Sequence, residues 1–221
     1  MKNFFAQLDK FKGLLVDIDD TVYSYEEAHK AALLEVYSEI ISKVTLQNFE
    51  TFERKYKCER AQVTAFHKGS GSSRSRFLAL QSLFEHEGLP TSYELALIGE
   101  DCYWRAFLAN MKPKCLPIEV IKHFTLSGKP VCAVTDMQAR YQVQKLVQLG
   151  LVRNINYLVT SEEVGVEKPS PEVFELALRK TNICANQALM IGDDLEKDIR
   201  GAQSMGIEAW QVVGTKILPS K

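Results

Sequence analysis

The chain has 221 residues, of which 46% are hydrophobic and 25% are charged, a composition typical of an ordinary globular protein. The formal net charge is −1, so no basic field favours nucleic acid, and no polybasic run favours an anionic membrane. No apolar run approaches the ~20 residues that span a bilayer. The five cysteines are widely spaced and odd in number, which favours reduced thiols in a cytoplasmic protein over a zinc site or a disulfide framework.

The first predicted element is a buried parallel strand, Gly13–Val16, which ends abruptly in the polar segment Asp-Ile-Asp-Asp-Thr. Helical spacing of apolar residues then predicts helices over residues 26–44, 46–66, 74–87 and 93–110. Between the second and third of these, residues 68–73 read Lys-Gly-Ser-Gly-Ser-Ser and predict a flexible loop. No strand pattern is convincing between residues 21 and 110, so this stretch is predicted to be a helical insert.

After residue 112 the pattern changes to alternating strands and helices. Strands are predicted at residues 131–134, 156–159, 188–191 and 207–213. The helices between them are predicted at residues 138–149, 171–180 and 195–205, the second capped by Ser170 with Pro171 at its first position. Repeated strand–helix–strand units imply an α/β fold with a parallel sheet and right-handed crossovers.

Polar residues follow these strands directly. Asp17, Thr135, Thr160 and Asp193 each stand where a predicted strand ends. Ligands of open α/β sheets bind outside the carboxyl ends of the strands, so we expect these residues to gather on one edge.

Five carboxylates near these strand ends indicate a cation site. Asp17 and Asp19 are two residues apart, and Asp193, Asp194 and Asp198 follow a later strand. Converging carboxylates repel one another, and oxygen-rich sites select hard cations such as magnesium. The alternative for each single aspartate is a surface turn or a helix cap.

Two further residues fit a phosphate ligand. The hydroxyl of Thr135 and the neighbouring backbone N–H groups can cradle a phosphate, although a threonine before a helix is often only a cap. Lys168 can neutralise phosphate oxygens and relieve repulsion between carboxylates, although an exposed lysine is usually just solvated.

The order of these segments identifies a family resemblance. Asp-Ile-Asp-Asp-Thr, Val-Thr-Asp, Glu-Lys-Pro-Ser-Pro and Met-Ile-Gly-Asp-Asp-Leu-Glu-Lys-Asp resemble the four motifs of the haloacid dehalogenase (HAD) superfamily. The resemblance implies a Rossmann-like parallel sheet core, residues 1–21 and 111–221, and an inserted all-helical cap, residues 22–110, that closes over the site. It also implies a phosphatase that uses Mg²⁺ and an aspartyl-phosphate to hydrolyse a small phosphorylated metabolite of the sugar phosphate, nucleotide or acylneuraminate phosphate class. Such a protein would be a monomer or homodimer without nucleic-acid or membrane partners.

The resemblance also implies a role for each matching residue. Asp17 matches the nucleophile, Asp19 the general acid/base and Thr135 the phosphate-binding hydroxyl. Lys168 matches the lysine that holds both the nucleophile and the phosphate. The implied metal ligands are Asp17, Asp19, Asp193 and Asp194, with Asp198 open as the alternative to Asp194.

Two positions depart from the family pattern. Asp20 stands where glycine is common, and Asp136 stands where asparagine is common. Asp136 is the implied phosphate-binding partner of Thr135, yet its carboxylate would repel a phosphate unless it turns away. The backbone N–H would then be the contact.

The insert offers candidates for specificity. Lys68, Arg74 and Arg76 lie in or beside the Gly/Ser loop and would favour a leaving group with a second anion. A solvated loop is the alternative. A phosphomutase, a phosphonatase or a non-catalytic binding module on the same fold also stays open.

Overall fold

The structure is a computed structural model that describes residues 2–45 and 47–220. The chain divides into two compact units. One is formed by the residues up to Ser24 together with those from Pro113 onward, and the other is Tyr25–Lys112. The second unit covers nearly the same residues as the predicted insert, 22–110, whose role as a cap stays a prediction.

The first unit begins with helix α1 (Lys2–Leu8) and is built on a six-stranded sheet with the order β3-β2-β1-β4-β5-β6. Neighbouring strands are parallel except β6, which is antiparallel to β5. This confirms the predicted α/β class with a mainly parallel sheet. The strands are β1 (Gly13–Val16), β2 (Val131–Thr135), β3 (Tyr157–Thr160), β4 (Ala188–Gly192), β5 (Glu208–Val213) and β6 (Lys216–Pro219).

The three central strands β1, β2 and β4 are buried along their whole length. They read as continuous apolar runs because helices cover both faces of a parallel sheet. Leu15, Val134 and Met190 belong to one core cluster together with Phe174 and Ile199 from the covering helices. Strand β6, a short edge strand that carries a proline, was not predicted from the sequence.

The second unit is helical, apart from the first residue of a short strand, Lys112–Pro113, at its end. Another two-residue strand, Tyr23–Ser24, precedes the unit, although no strand was expected there. Residues 71–74 form a 3₁₀ turn where a flexible loop was predicted, because the backbone N–H groups of Ser73 and Ser75 donate to the carbonyls of Ser70 and Ser72. The carbonyl of Ser73 also accepts hydrogen bonds from Arg60 and Thr64. The helices are α2 (Tyr25–Val36, continued by the π turn Tyr37–Ile41 and by Ser42–Val44), α3 (Phe49–Phe66), α4 (Arg76–His86) and α5 (Ser92–Ala109).

The remaining helices belong to the first unit. Ser170 stands at the N-cap of α9 as predicted, but its hydroxyl donates to Glu172 and makes no cap to the backbone. In the described residues, no helix is long and apolar enough to cross a membrane. The helices are α6 (Cys115–Leu126), α7 (Ala139–Gln148), α8 (Ser161–Val164), α9 (Pro171–Thr181) and α10 (Leu195–Arg200, wound as a π-helix and continued by Gly201–Ser204).

Candidate active site

Three of the candidate residues come together where the central strands end. Asp17 follows β1, Asp193 follows β4, and Thr135 is the last residue of β2. β1 lies between β2 and β4 in parallel register, with Val16 level with Ile191. The three side chains therefore start from the same edge of the sheet, as expected for an open α/β fold.

Lys168 links the carboxylates at this edge. The residue is only 4% exposed. Its Nζ donates to Asp17 Oδ1 at 2.6 Å, to Asp198 Oδ1 at 2.7 Å and to the carbonyl of Val134 at 2.9 Å. Burial alone would lower the pKa of Lys168, but the two carboxylates outweigh burial and raise this pKa well above its usual value. Lys168 is therefore a fixed cation that uses all three of its donors.

Asp17, Asp193 and Asp198 form an acidic group. One carboxylate oxygen from each lies within 4.8 Å of the others. Burial raises the pKa of Asp17 well above its usual value even though Lys168 lowers it, and the neighbouring carboxylates raise it further. Burial and the charge of Asp198 raise the pKa of Asp193 to about 6. One ammonium does not balance three carboxylates, so these residues fit a hard divalent cation.

Asp194 and Asp198, the two candidates for a metal ligand beside Asp193, have different surroundings. Asp194 is the N-cap of α10, and its Oδ1 accepts from the backbone N–H groups of Glu196 at 2.9 Å and Lys197 at 3.0 Å. Asp198 is buried one turn further on, and its Oδ2 accepts from the N–H of Asp194 at 3.1 Å. The geometry favours Asp198 as the third carboxylate, and Asp194 stays a predicted ligand only.

Asp19 is held by three side chains that the sequence analysis did not single out. Lys145 Nζ donates to Oδ1 at 2.6 Å, Gln142 Nε2 donates to Oδ2 at 2.8 Å, and the hydroxyl of Tyr23 also donates to Oδ1. Burial raises the pKa of Asp19, but the contacts with these side chains, Lys145 foremost, outweigh burial and lower it. Asp19 is therefore a carboxylate at neutral pH.

Gln142 and Lys145 extend the site to α7. Both are fully buried and lie three residues apart, a spacing that puts them on the same helix face. Gln142 Nε2 also donates to Thr135 Oγ1 at 2.9 Å and so connects two of the predicted residues. The only sequence signal for this pair is its helical spacing just after the second motif.

The carboxylate of Asp136 is fully engaged. Its Oδ1 accepts from the backbone N–H of Lys168 at 2.9 Å, and its Oδ2 accepts from Lys197 Nζ at 2.6 Å. Lys197 also donates to Glu167 at 3.2 Å. The extra charge at this position is thus paired and supports the segment that carries Lys168. Contact of Asp136 and Thr135 with a phosphate stays a prediction.

The three candidate residues of the helical unit differ in exposure. Lys68 is exposed and Arg74 is half-buried. Arg76 is only 2% exposed at the first position of α4, so it does not lie in a solvated loop. Their role in specificity stays a prediction.

Comparison with known proteins identifies the family. Residues 11–206 match the family model described as haloacid dehalogenase-like hydrolase. The chain belongs to this family. The match confirms the resemblance drawn from the four motifs. The structure of a HAD-hydrolase, YfnB from Bacillus subtilis, shares the fold with a TM-score of 0.69 at 22% identity, over 96% of this chain and 93% of that one.

Similar curated proteins are named as phosphatases. A ribulose-1,5-bisphosphate 5-phosphatase from Halopiger xanaduensis is 34% identical over 200 residues, which covers 89% of this chain and 82% of the relative. A glyceraldehyde 3-phosphate phosphatase from Pyrococcus abyssi is 36% identical over 197 residues, covering 89% and 79% of the two chains. A protein of the same name from Methanopyrus kandleri is 31% identical over 89% of this chain and 81% of its own.

Gly192 has no side chain, and the side chain of Asp198 lies in the space where a Cβ would be. A Cβ at this position would overlap the side chain of Asp198, so Gly192→Ala has to displace the carboxylate. We expect the variant to lose about 1–3 kcal/mol of unfolding free energy through overpacking, measured by urea denaturation. In an Asp198→Gly background, which also removes the Cβ of residue 198 that lies 2.5 Å from the added atom, the same substitution should cost much less. Equal costs in the two backgrounds would contradict this explanation.

Lys145→Met tests the ion pair with Asp19. The variant should lose about 1–3 kcal/mol of unfolding free energy at neutral pH, because it leaves a half-buried carboxylate without its main donor. The pKa of Asp19 is lower in the folded than in the unfolded chain, so this stabilisation is present above about pH 4 and disappears as the pH falls through the folded pKa. The gap between variant and wild type should therefore shrink in acid.

Lys122→Met, which replaces an exposed lysine of α6, is the matched control for that experiment. Its effect on the unfolding free energy should be small at every pH. A Lys145→Met deficit that stayed constant from neutral pH into acid would argue against the ion pair.

Proposed function

We propose that this protein is a magnesium-dependent phosphatase that hydrolyses a small sugar phosphate through an aspartyl-phosphate on Asp17. The observation that carries the proposal is the buried ammonium of Lys168, which binds the carboxylates of Asp17 and Asp198 at the end of the central strand. The names of the curated relatives, phosphatases of ribulose bisphosphate and glyceraldehyde 3-phosphate, support the sugar-phosphate class.

The nucleophile of this proposal is the Asp17 carboxylate. It attacks phosphorus, the bond from phosphorus to the leaving oxygen breaks, and the leaving group departs as an alcohol with a proton that Asp19 takes up before the step and then donates. Because Lys168 fixes Oδ1 of Asp17 at 2.6 Å, the other oxygen has a defined direction. The same ammonium offsets the negative charges of the carboxylate and of the approaching phosphoryl group. It therefore lowers their mutual repulsion and helps to hold the two reacting groups in position.

Asp19 is the proposed acid and base. Its lowered pKa keeps it ionised in the free protein, which suits the second step, in which it takes a proton from the water that attacks the aspartyl-phosphate. Donation of a proton to the leaving oxygen in the first step stays a prediction from the family resemblance. The side chain of Lys145 positions the carboxylate for both tasks.

Asp17, Asp193 and Asp198 would hold the magnesium ion, with Asp19 and Asp194 as the further predicted ligands. When bound, the cation supplies positive charge for the phosphoryl oxygens and for the acidic group. Burial is the main cause of the raised pKa values of Asp17 and Asp193, and the charge of Asp198 raises both further, so a bound cation would stabilise the ionised carboxylates.

Asp17→Asn should abolish release of phosphate from ribulose 1,5-bisphosphate and glyceraldehyde 3-phosphate, because the amide is not a nucleophile of comparable strength. Asp101→Asn, an exposed aspartate of α5, is the matched control and should keep wild-type turnover. The readout is inorganic phosphate. More than a few per cent of residual turnover in the purified Asp17 variant would exclude the covalent route. Wild-type transfer of phosphate to another hydroxyl without release would indicate a phosphomutase.

Magnesium binding should depend on pH through Asp193. Its pKa is about 6 in the folded chain and 3.8 as an ordinary aspartate, so deprotonation costs stability as the pH rises through this window. A bound cation offsets that cost. The increase in Tm caused by magnesium should therefore be small near pH 5 and larger above about pH 7.

The variant Asp193→Asn tests the part of this residue in magnesium binding. It should reduce the increase in Tm that magnesium causes at the higher pH. Calcium should bind but support little turnover because of its larger and more flexible coordination shell. Full turnover in excess chelator by metal-free protein would overturn the proposed magnesium dependence.

A further inference from the structure

The helical unit contains a buried arginine among aromatic rings. Arg76 donates from Nη1 to the carbonyl of Arg74 and from Nη2 to the hydroxyl of Tyr25, both at 2.6 Å. Its guanidinium carbon lies 5.2 Å from the ring centre of Tyr103 and 5.4 Å from that of Trp104. Its Nε is buried and has no hydrogen-bond partner among the described residues. The cation thus retains a free donor in a setting with little water.

A second cation lies beside it. Arg60 of α3 is half-buried, and its hydrogen bond to the carbonyl of Ser73 is long at 3.4 Å. Burial and the charge of Arg76 lower the pKa of Arg60 to about 10. Burial and the same two arginines lower the pKa of His29 to about 3, so its imidazole is neutral. Burial is the main cause of both shifts, and the charge of Arg76 adds to it in both residues.

Within the described residues, neither arginine forms an ion pair with a carboxylate. Glu100 is close enough to raise the pKa of Tyr56, but it accepts the backbone N–H of Phe77 at 3.2 Å. Cations removed from water are unfavourable unless each has a counter-charge. The buried Arg76 and the half-buried Arg60 share at most the charge of Glu100, which indicates a site for an anion that comes from outside the chain.

Tyr56 supplies an independent observation. The residue is fully buried, yet its hydroxyl has no hydrogen-bond partner among the described residues. Burial, the largest influence, raises its pKa to about 12 although both arginines lower it. The hydroxyl is therefore protonated and is an unused donor in the same cluster. Leaving such a group unsatisfied is unfavourable, and a ligand oxygen would satisfy it.

We propose that Arg76, Arg60 and Tyr56 form an anion-binding site in the helical unit that takes a phosphate or carboxylate group. Planar guanidinium groups bind such oxyanions with charge-assisted hydrogen bonds. Tyr25 positions Arg76, and the aromatic rings beneath the guanidinium exclude water. Arg60 and Tyr25 are only half-buried, so the cluster reaches the surface of the unit at these side chains.

The anion has two possible sources, the second anionic group of the substrate or a free anion. Only the first source rests on the proposed function. One relative is named for a sugar bisphosphate and another for a sugar monophosphate. The test therefore compares a substrate that has a second anionic group with one that has none.

The test uses two variants of the full-length protein, each with a matched control from the same unit. Tyr56→Phe removes only the unpartnered hydroxyl, and its control is the exposed Tyr93→Phe. Arg60→Gln removes the half-buried cation, and its control is Arg54→Gln, an exposed arginine on the same helix. Tm is measured for all four. The unpartnered hydroxyl is unfavourable in the ligand-free protein, so Tyr56→Phe should not lower Tm relative to its control, and a lower Tm would mean that the hydroxyl is bonded within the fold and would overturn the site.

The kinetic arm compares kcat/KM for ribulose 1,5-bisphosphate with kcat/KM for p-nitrophenyl phosphate, whose leaving group has no second anion. If the site holds part of the substrate, this ratio should fall about tenfold or more in Arg60→Gln and several-fold in Tyr56→Phe, since bonds to charged groups contribute about 1.5–3 kcal/mol. The controls should keep the wild-type ratio.

The binding arm titrates inorganic sulfate and phosphate by calorimetry and needs no turnover. If the anion is free, the ratio of kcat/KM values stays constant, but a binding event present in the controls weakens about tenfold in the two variants. If the wild-type protein has no phosphatase activity, the proposed function is wrong, and the binding arm alone then tests the anion site. Variants that match their controls in both arms, or that lose both substrates equally, would overturn the proposed site.

Discussion

The buried ammonium of Lys168 is the interaction on which the candidate site depends. It binds Asp17 at 2.6 Å and Asp198 at 2.7 Å in a part of the core where neither carboxylate is solvated. Removing one partner of such a buried pair is strongly destabilising because it leaves an uncompensated charge. The position of Lys168 therefore decides whether Asp17 can be both buried and ionised, which a carboxylate nucleophile requires.

Several features of the fold fix that position. Asp136 binds the backbone N–H of Lys168 and so holds the segment in which the lysine lies. The π-wound helix α10 turns Asp198 toward the ammonium, and Gly192 has no side chain to block it. Asp136 thus departs from the family pattern at no evident cost, since its charge is paired with Lys197 and directed at the protein.

The sequence predicted the sheet and the strand-end residues because parallel strands carry their own signal, a buried apolar run that stops at a polar residue. It did not predict Lys145, since the rotation of α7 about its axis depends on tertiary packing. Nor could it separate Asp194 from Asp198, which differ by one turn whose winding the sequence does not specify. The burial of Arg76 was missed because the Gly/Ser composition before it indicated a solvated loop, whereas backbone hydrogen bonds fold that segment.

The most direct test of the account is to trap the covalent intermediate. Wild-type protein with magnesium is mixed with radiolabelled p-nitrophenyl phosphate, quenched in acid within one turnover, and digested. The account predicts a label that hydroxylamine releases, as expected of an acyl phosphate, on the peptide containing Asp17. Rapid release of labelled phosphate with no label on the protein at any time, or with a label on a different residue, would contradict it.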